Sequence, residues 1–220
     1  MSASGLAAVW ATENTREAII AAMRRREVYA TSGPRIAVRT FAGLNLSSSA
    51  LEAPSYPANL TEQAVPMGGE ILGASAEDQF AMVVEAQADP KSGYLDRIQV
   101  VKGWLDDEGA TQERVYDVVW AGDNRLQSDG TLTPIGDSVD LATGLTDNVI
   151  GAPSLSTVWQ DPDFDADQAA FYYVRVLQIP TARHSLLDKL ALADDSIDTR
   201  RPDTIQERAY TSPVWYRPQP

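Results

Sequence analysis

Polar and apolar positions along the chain repeat with two different periods, and the change falls at Arg24–Ile36, R-R-R-E-V-Y-A-T-S-G-P-R-I. Before it, Ala18, Ile19, Ala22 and Met23 recur at helical spacing and form one apolar stripe. Asn14 and Glu17 fit a capping box that opens this helix, with Asn14 at the N-cap. Arg24, Arg25 and Arg26 fall in its last turn, where positive charge meets exposed carbonyl ends, so they read as a helix terminus rather than an anion site.

After that point the period drops to two. Val28–Thr31 predicts a short strand, Ser32-Gly33-Pro34 a turn, and Arg35–Phe41 a half-buried strand. Residues 43–66 carry three serines in a row and three prolines with no sustained period, which predicts a long, partly ordered surface loop. Met67–Leu72 brings adjacent glycines without a phosphate-cradle spacing, so it reads as a turn or bulge entering a strand. Phe80–Ala86, Leu95–Trp104 and Arg114–Trp120 predict three strands, joined by the turn-forming segments Asp89–Gly93 and Asp106–Gly109, and their order suggests an antiparallel meander. Residues 121–153 are turn-rich, with one short strand near Ser138–Leu141.

Strands are expected again at Ser154–Trp159, Ala170–Ile179 and Ser212–Tyr216, the second being the most β-prone run in the chain. Between the last two, Leu186, Leu187, Leu190 and Ala191 mark a short helix begun after Thr181 and broken at Asp194-Asp195. No repeat of fixed period is present. The pattern predicts a mainly β fold, an antiparallel β-sandwich-like domain with one helix near each end.

Composition narrows the function more than it names one. A formal charge of -13 argues against nucleic acid and against an anionic membrane surface, since both need a basic face. The absence of cysteine excludes disulfides, thiolate metal sites and thiol nucleophiles together, and leaves the compartment open. The N-terminus lacks a basic n-region, and no apolar run is long enough to cross a bilayer, so a soluble chain is expected.

Candidate chemistry is sparse. His184 is the only histidine, too few for a zinc or iron site of the usual kind, and no nucleophile-elbow motif accompanies it; a surface or capping role is expected. Asp161, Asp163, Asp165 and Asp167 alternate as oxygen ligands for calcium would. An EF-hand register fails, with Ala166 where glycine is needed and Tyr172 where a bidentate glutamate belongs. A calcium loop of another type stays open beside a solvated strand connection shaped by Asp and Pro. Trp104, Tyr116, Trp120, Trp159, Tyr172 and Tyr173 fall on predicted strands, where core packing competes with a sugar platform.

Five blocks carry a resemblance: Glu13–Ile19 (E-N-T-R-E-A-I), Arg25–Ile36 (R-R-E-V-Y-A-T-S-G-P-R-I), Leu95–Trp104 (L-D-R-I-Q-V-V-K-G-W), Ala170–Leu177 (A-F-Y-Y-V-R-V-L) and Thr204–Tyr216 (T-I-Q-E-R-A-Y-T-S-P-V-W-Y). In this order they resemble the C-terminal portion of the domain-of-unknown-function 3604 family, whose members resemble the PHP (polymerase and histidinol phosphatase) superfamily of metal-dependent hydrolases. The resemblance implies a distorted β/α barrel upstream that carries His and Asp ligands for a divalent metal, followed by a β-rich region. Residues 1–33 would then be the terminal helix and hinge of that barrel, and 34–220 the β-rich C-terminal domain. The barrel's His-rich motifs have no counterpart in these residues, so neither catalytic residues nor a cofactor are assigned to this chain. The implied partner is the barrel itself, in the same parent chain or as a separate polypeptide, and the implied parent is periplasmic.

Two functions follow. One is an accessory region that completes or covers the barrel's active site, with Tyr29, Thr31, Gly33 and Arg35 either reaching towards that site or serving only to turn the chain from helix to sheet. The other is an independent β-sandwich module binding a carbohydrate or a protein. The first expects the Ala18/Ile19/Ala22/Met23 stripe to stay partly uncovered. The second expects it to be buried, with an aromatic face turned to solvent.

Overall fold

In the computed structural model, which describes residues 4–194 and 201–219, two main sheets pack face to face. The chain opens with β1 (Leu6–Val9), α1 (Arg16–Arg24), β2 (Val28–Thr31) and β3 (Ala37–Leu44). After single 3-10 turns at Ala50–Glu52 and Ala58–Leu60 come β4 (Val65–Pro66), β5 (Glu70–Leu72), β6 (Phe80–Gln87), β7 (Leu95–Leu105) and β8 (Thr111–Trp120). A short hairpin, β9 (Val139–Asp140) and β10 (Leu145–Thr146), precedes β11 (Ser154–Gln160) and β12 (Ala170–Gln178). The chain closes with β13 (Thr181–Ala182), α2 (His184–Leu192), β14 (Thr204–Ile205), β15 (Arg208–Thr211) and β16 (Val214–Arg217). No helix among the described residues is long and apolar enough to cross a membrane.

The β-prone run at Ala170 becomes the centre of the larger sheet. β12 pairs antiparallel with β7 on one edge, and with β15 and then β16 on the other. β8 extends the β7 side, β2 and β1 extend the β15 side, and β5 joins β16 in parallel. Strand alternation sends Tyr172, Val174 and Val176 inward. They meet Val38, Phe80, Met82 and Val84 from the smaller sheet, which runs β11-β6-β3-β4, and Ile36 just before β3. The Phe80 and Tyr172 rings stack across this interface with centroids 4.0 Å apart.

The expected meander does not form. β6 pairs with β3 and β11, so the 88–94 connection crosses between sheets instead of turning a hairpin onto β7. The reason lies in β6 itself, which is apolar on both faces. Phe80, Met82 and Val84 face the other sheet, while Ala81 and Val83 pack with Phe41, Leu46, Ala50 and Leu60. The 43–66 segment therefore supplies a second small core under its 3-10 turns, more ordered than its composition suggests.

Helix α1 also starts one residue late. Thr15 is its N-cap, with its hydroxyl accepting from the Ala18 N–H at 3.3 Å, while Asn14 lies outside. Only Arg24 of the three arginines is in the last turn; Arg25 caps the helix and Arg26 takes a left-handed conformation with φ 63°. Helix α2 ends at Leu192 with Ala193 left-handed; Asp195 lies outside the described residues. β1 and the β14–β15 segment carry no clear alternation and were not predicted.

A buried ion pair joins the two sheets inside the sandwich. Lys102 on β7 points inward and is 2% exposed; its Nζ donates to Asp161 Oδ2 at 2.7 Å and to the Asp163 carbonyl at 2.6 Å. Tyr172 donates to the same Oδ2 at 2.8 Å, so burial first and Asp161 second push its hydroxyl well above the tyrosine range. Removing one partner of a buried ion pair leaves an unpaired charge, which costs about 3–5 kcal/mol. Lys102→Met should therefore lose about that much in urea unfolding, and adding Asp161→Asn should restore most of it. Equal losses in the single and double variants would show that the charge is not what matters.

Candidate functional site

The Ser32-Gly33-Pro34 turn, where the chain passes from β2 to β3, lines an open cleft of about 650 Å³. Three distant segments close it: the Asp89–Gly93 turn, residues 144–148, and Thr181–His184, with Glu207 beside them. Backbone hydrogen bonds explain why these segments meet. Ser32 N–H donates to the Arg208 carbonyl and Arg208 N–H to Ser32 Oγ, both at 2.9 Å, and the Ser32 hydroxyl also bonds Glu207 Oε2. Asn148 accepts from Tyr94 N–H at 2.8 Å and donates to the Ser92 carbonyl at 3.1 Å, stitching the 144–148 segment to the turn. Gly144 has φ +70°, and a Cβ there would come within 2.5 Å of Leu187, so glycine is required for the hairpin to approach α2.

Asp89 organises the wall. It is 8% exposed; its Oδ2 accepts from Arg35 N–H at 2.7 Å and its Oδ1 from Lys91 N–H at 2.9 Å. Burial alone would raise its pKa, but those two N–H groups and the nearby Arg35 and Lys91 charges outweigh it and hold the carboxyl below its ordinary value.

The four hinge candidates divide. Gly33 lines the cleft, and Arg35 supplies its backbone N–H to the wall while its side chain stays exposed. Tyr29 and Thr31 share the inward face of β2. Tyr29 packs against the sandwich core with its ring 6.4 Å from Trp10, and burial raises its hydroxyl pKa. Thr31 is 6% exposed, with no hydrogen-bond partner for its buried Oγ1. His184 opens α2 at the cleft margin and is exposed. The polar groups here can hold a polar ligand; among the described residues of the cleft the Ser32 hydroxyl is bonded to Glu207 and Arg208. Sequence reasoning missed Asp89, Asn148 and Glu207 as parts of one place, because their partners lie 54 to 175 residues away.

The four alternating aspartates are spread out rather than gathered. Asp161 is fully buried against Lys102 and Tyr172, and Asp163 Oδ2 takes Arg114 and the Tyr116 hydroxyl, each at 2.7 Å. Asp165 Oδ1 accepts from the Asp167 N–H at 2.9 Å, and both residues are exposed. Among the described residues no group of three or more His, Cys, Asp or Glu is placed to hold a metal ion.

Two sheets face to face, with a polar cleft beside the turn between β2 and β3, define a β-sandwich domain. Residues 1–218 match the family described as protein of unknown function (DUF3604), and the chain belongs to that family. No curated protein and no solved structure matches it.

The lowered Asp89 pKa carries a sign. A depressed folded-state pKa contributes stability above the unfolded value of about 3.9, and that stability is lost as pH falls through the folded value. Asp89→Asn should lower stability by about 1–3 kcal/mol at neutral pH and flatten the acid limb of the profile. Urea unfolding from neutral pH down to about pH 3 measures both. An unchanged acid limb in the variant would refute the assignment.

Proposed function

We propose that this chain is the C-terminal accessory region of a PHP-like metal-dependent hydrolase, of phosphoesterase type, that completes or covers a catalytic barrel and does not turn over substrate alone. The observation that carries this reading is the face of α1. Ala22 is fully buried against the domain, yet Met23 is 52% exposed, Ile20 39% and Leu6 on the neighbouring β1 39%. Ala18 and Ile19 are half-buried. An amphipathic helix that leaves such side chains in water is suited to a second body, and the five-block resemblance supplies the barrel as that body. The barrel would hold the divalent metal. This chain's part is to set the hinge cleft, with Gly33, Lys91 and Glu207, as a polar wall beside it. A periplasmic parent belongs to the same proposal.

A second reading, an independent binding module, is favoured by a row of aromatic rings on the outward face of the larger sheet.

Hydrolysis of bis(p-nitrophenyl) phosphate with added manganese tests the first reading. The chain alone should stay at background, and the chain joined to its barrel should turn over. Ile20→Glu with Met23→Glu should lower that turnover by at least about tenfold, since burying each apolar side chain is worth about 1.5–3 kcal/mol. Circular dichroism should be unchanged. Clear turnover by the isolated chain, or full activity of the barrel with this region deleted, would overturn the proposal.

A further inference from the structure

We propose that the outward face of the larger sheet is a binding track for an extended, uncharged glycan. Strand alternation that buries Tyr172 turns Phe171 and Tyr173 outward on β12, and the pairing places Trp215 of β16 and Tyr210 of β15 on the same face. The four rings form a row. Centroid separations are 5.4 Å from Trp215 to Phe171, 6.5 Å from Phe171 to Tyr173 and 6.3 Å from Tyr173 to Tyr210. None of them is part of the buried inter-sheet core, which has its own rings in Phe80, Tyr172 and Tyr216.

The row is shaped, not incidental. Gly103 lies opposite Phe171 on β7, and a Cβ there would fall 2.3 Å from the Phe171 ring. Glycine therefore lets the half-buried Phe171 ring reach across the neighbouring strand. Phe171 and Tyr173 are nearly parallel, at 11°, while Trp215 is tilted by 50° and is 39% exposed. At the Trp215 end the row opens into a cleft of about 600 Å³, inside the usual span of small-ligand sites, roughly 300–1,000 Å³. Its rim holds Gln112, Glu113 and Arg217: an amide, a carboxylate and a guanidinium.

The chemistry selects the ligand. A pyranose ring presents a C–H face to an aromatic ring and hydroxyls at its edge, and four rings in sequence, 5.4 to 6.5 Å apart, offer an elongated rather than a single-sugar platform. At the rim Gln112 Nε2 already donates to Asp106 and Arg217 Nε to Glu70, so the Gln112 carbonyl and the Glu113 carboxylate are the acceptors, and the other Arg217 N–H groups the donors, for ligand hydroxyls. A formal charge of -13, with Glu113 at the cleft, disfavours polyanions. A protein partner would favour an unbroken apolar patch, whereas the Tyr173 end is interrupted by Arg175 bonded to Gln99, and Gln99 to Asp117. The inference does not depend on the hydrolase reading.

Titration of the full chain with xylohexaose, cellohexaose and laminarihexaose, followed by tryptophan fluorescence and calorimetry, tests it. At least one should bind saturably, and Phe171→Ala and Trp215→Ala should each weaken it by at least about tenfold, or 1.4 kcal/mol. Gly103→Ala, which deletes no ring but displaces Phe171, should weaken it as well. Should those variants fail to fold, Gln112→Ala and Glu113→Gln on the exposed rim carry the test, with a loss of affinity expected. No response to any of the three at millimolar concentration would overturn the proposal. So would binding that survives the ring or rim variants, preference for heparin, or a self-association that Trp215→Ala abolishes.

Discussion

The ion pair between Lys102 and Asp161 fixes how the two sheets meet. Asp161 follows the last residue of β11, and its N–H donates to the Phe80 carbonyl at 2.9 Å, so it belongs to the smaller sheet. Its carboxylate reaches across to Lys102 and Tyr172 of the larger one. The apolar faces interdigitate, and the ion pair adds a second constraint on their alignment. A charged pair that is both buried and hydrogen-bonded tolerates one alignment, because any shift strands an ion without water.

The same pair explains the acidic segment that follows. Lys102 holds the Asp163 carbonyl as well as the Asp161 carboxylate, so the chain must fold back over the end of the sandwich. Phe164 then packs edge-on against Tyr216 at 4.9 Å, and the Tyr216 hydroxyl donates to the Ala166 carbonyl at 2.6 Å. Asp96, near the start of β7, plays a matching part elsewhere. It is 1% exposed and accepts from Arg125 and Gln206, each at 2.7 Å. Asp89, Asp96 and Asp161 are thus internal acceptors, and the chain's large negative charge is not only a property of its surface.

Strand segments were legible because alternation and β-prone apolar runs are local signals: β2, β3, β7, β8, β11, β12 and β16, and the doubly apolar β6, all lie where the pattern puts them. The partners of those strands were not legible. Phe80–Ala86 and Leu95–Trp104 look like neighbours in a hairpin, yet what decides their pairing is that Ala81 and Val83 need cover from Leu46 and Leu60, far back in a proline-rich segment. Of the site, the Gly33-Pro34 turn could be read from residue chemistry, whereas its contact with Glu207 could not. Nor could alternation alone say which of Phe171 and Tyr172 faces the core. The missing information is Lys102: it accepts an inward position only because Asp161 meets it there, and that sets the inward face of β7 and hence of β12.

That choice of face reaches further than the core. A continuous hydrogen-bonded path runs β1-β2-β15-β12-β16, from the strand beside α1 to Trp215. Helix α1 and its hinge are not loosely tethered to the domain, since Thr31 pairs with Ala209 and Tyr29 with Thr211 in the ladder itself. A body seated on Met23 and Ile20 would therefore be tied through regular sheet to the strands that carry Phe171, Tyr173 and Tyr210. Sheets of this kind transmit position with little give, because every step is a paired backbone. If the outward row holds a polymer, that polymer is held at a set distance from whatever covers α1, and the sandwich acts as a ruler between the two.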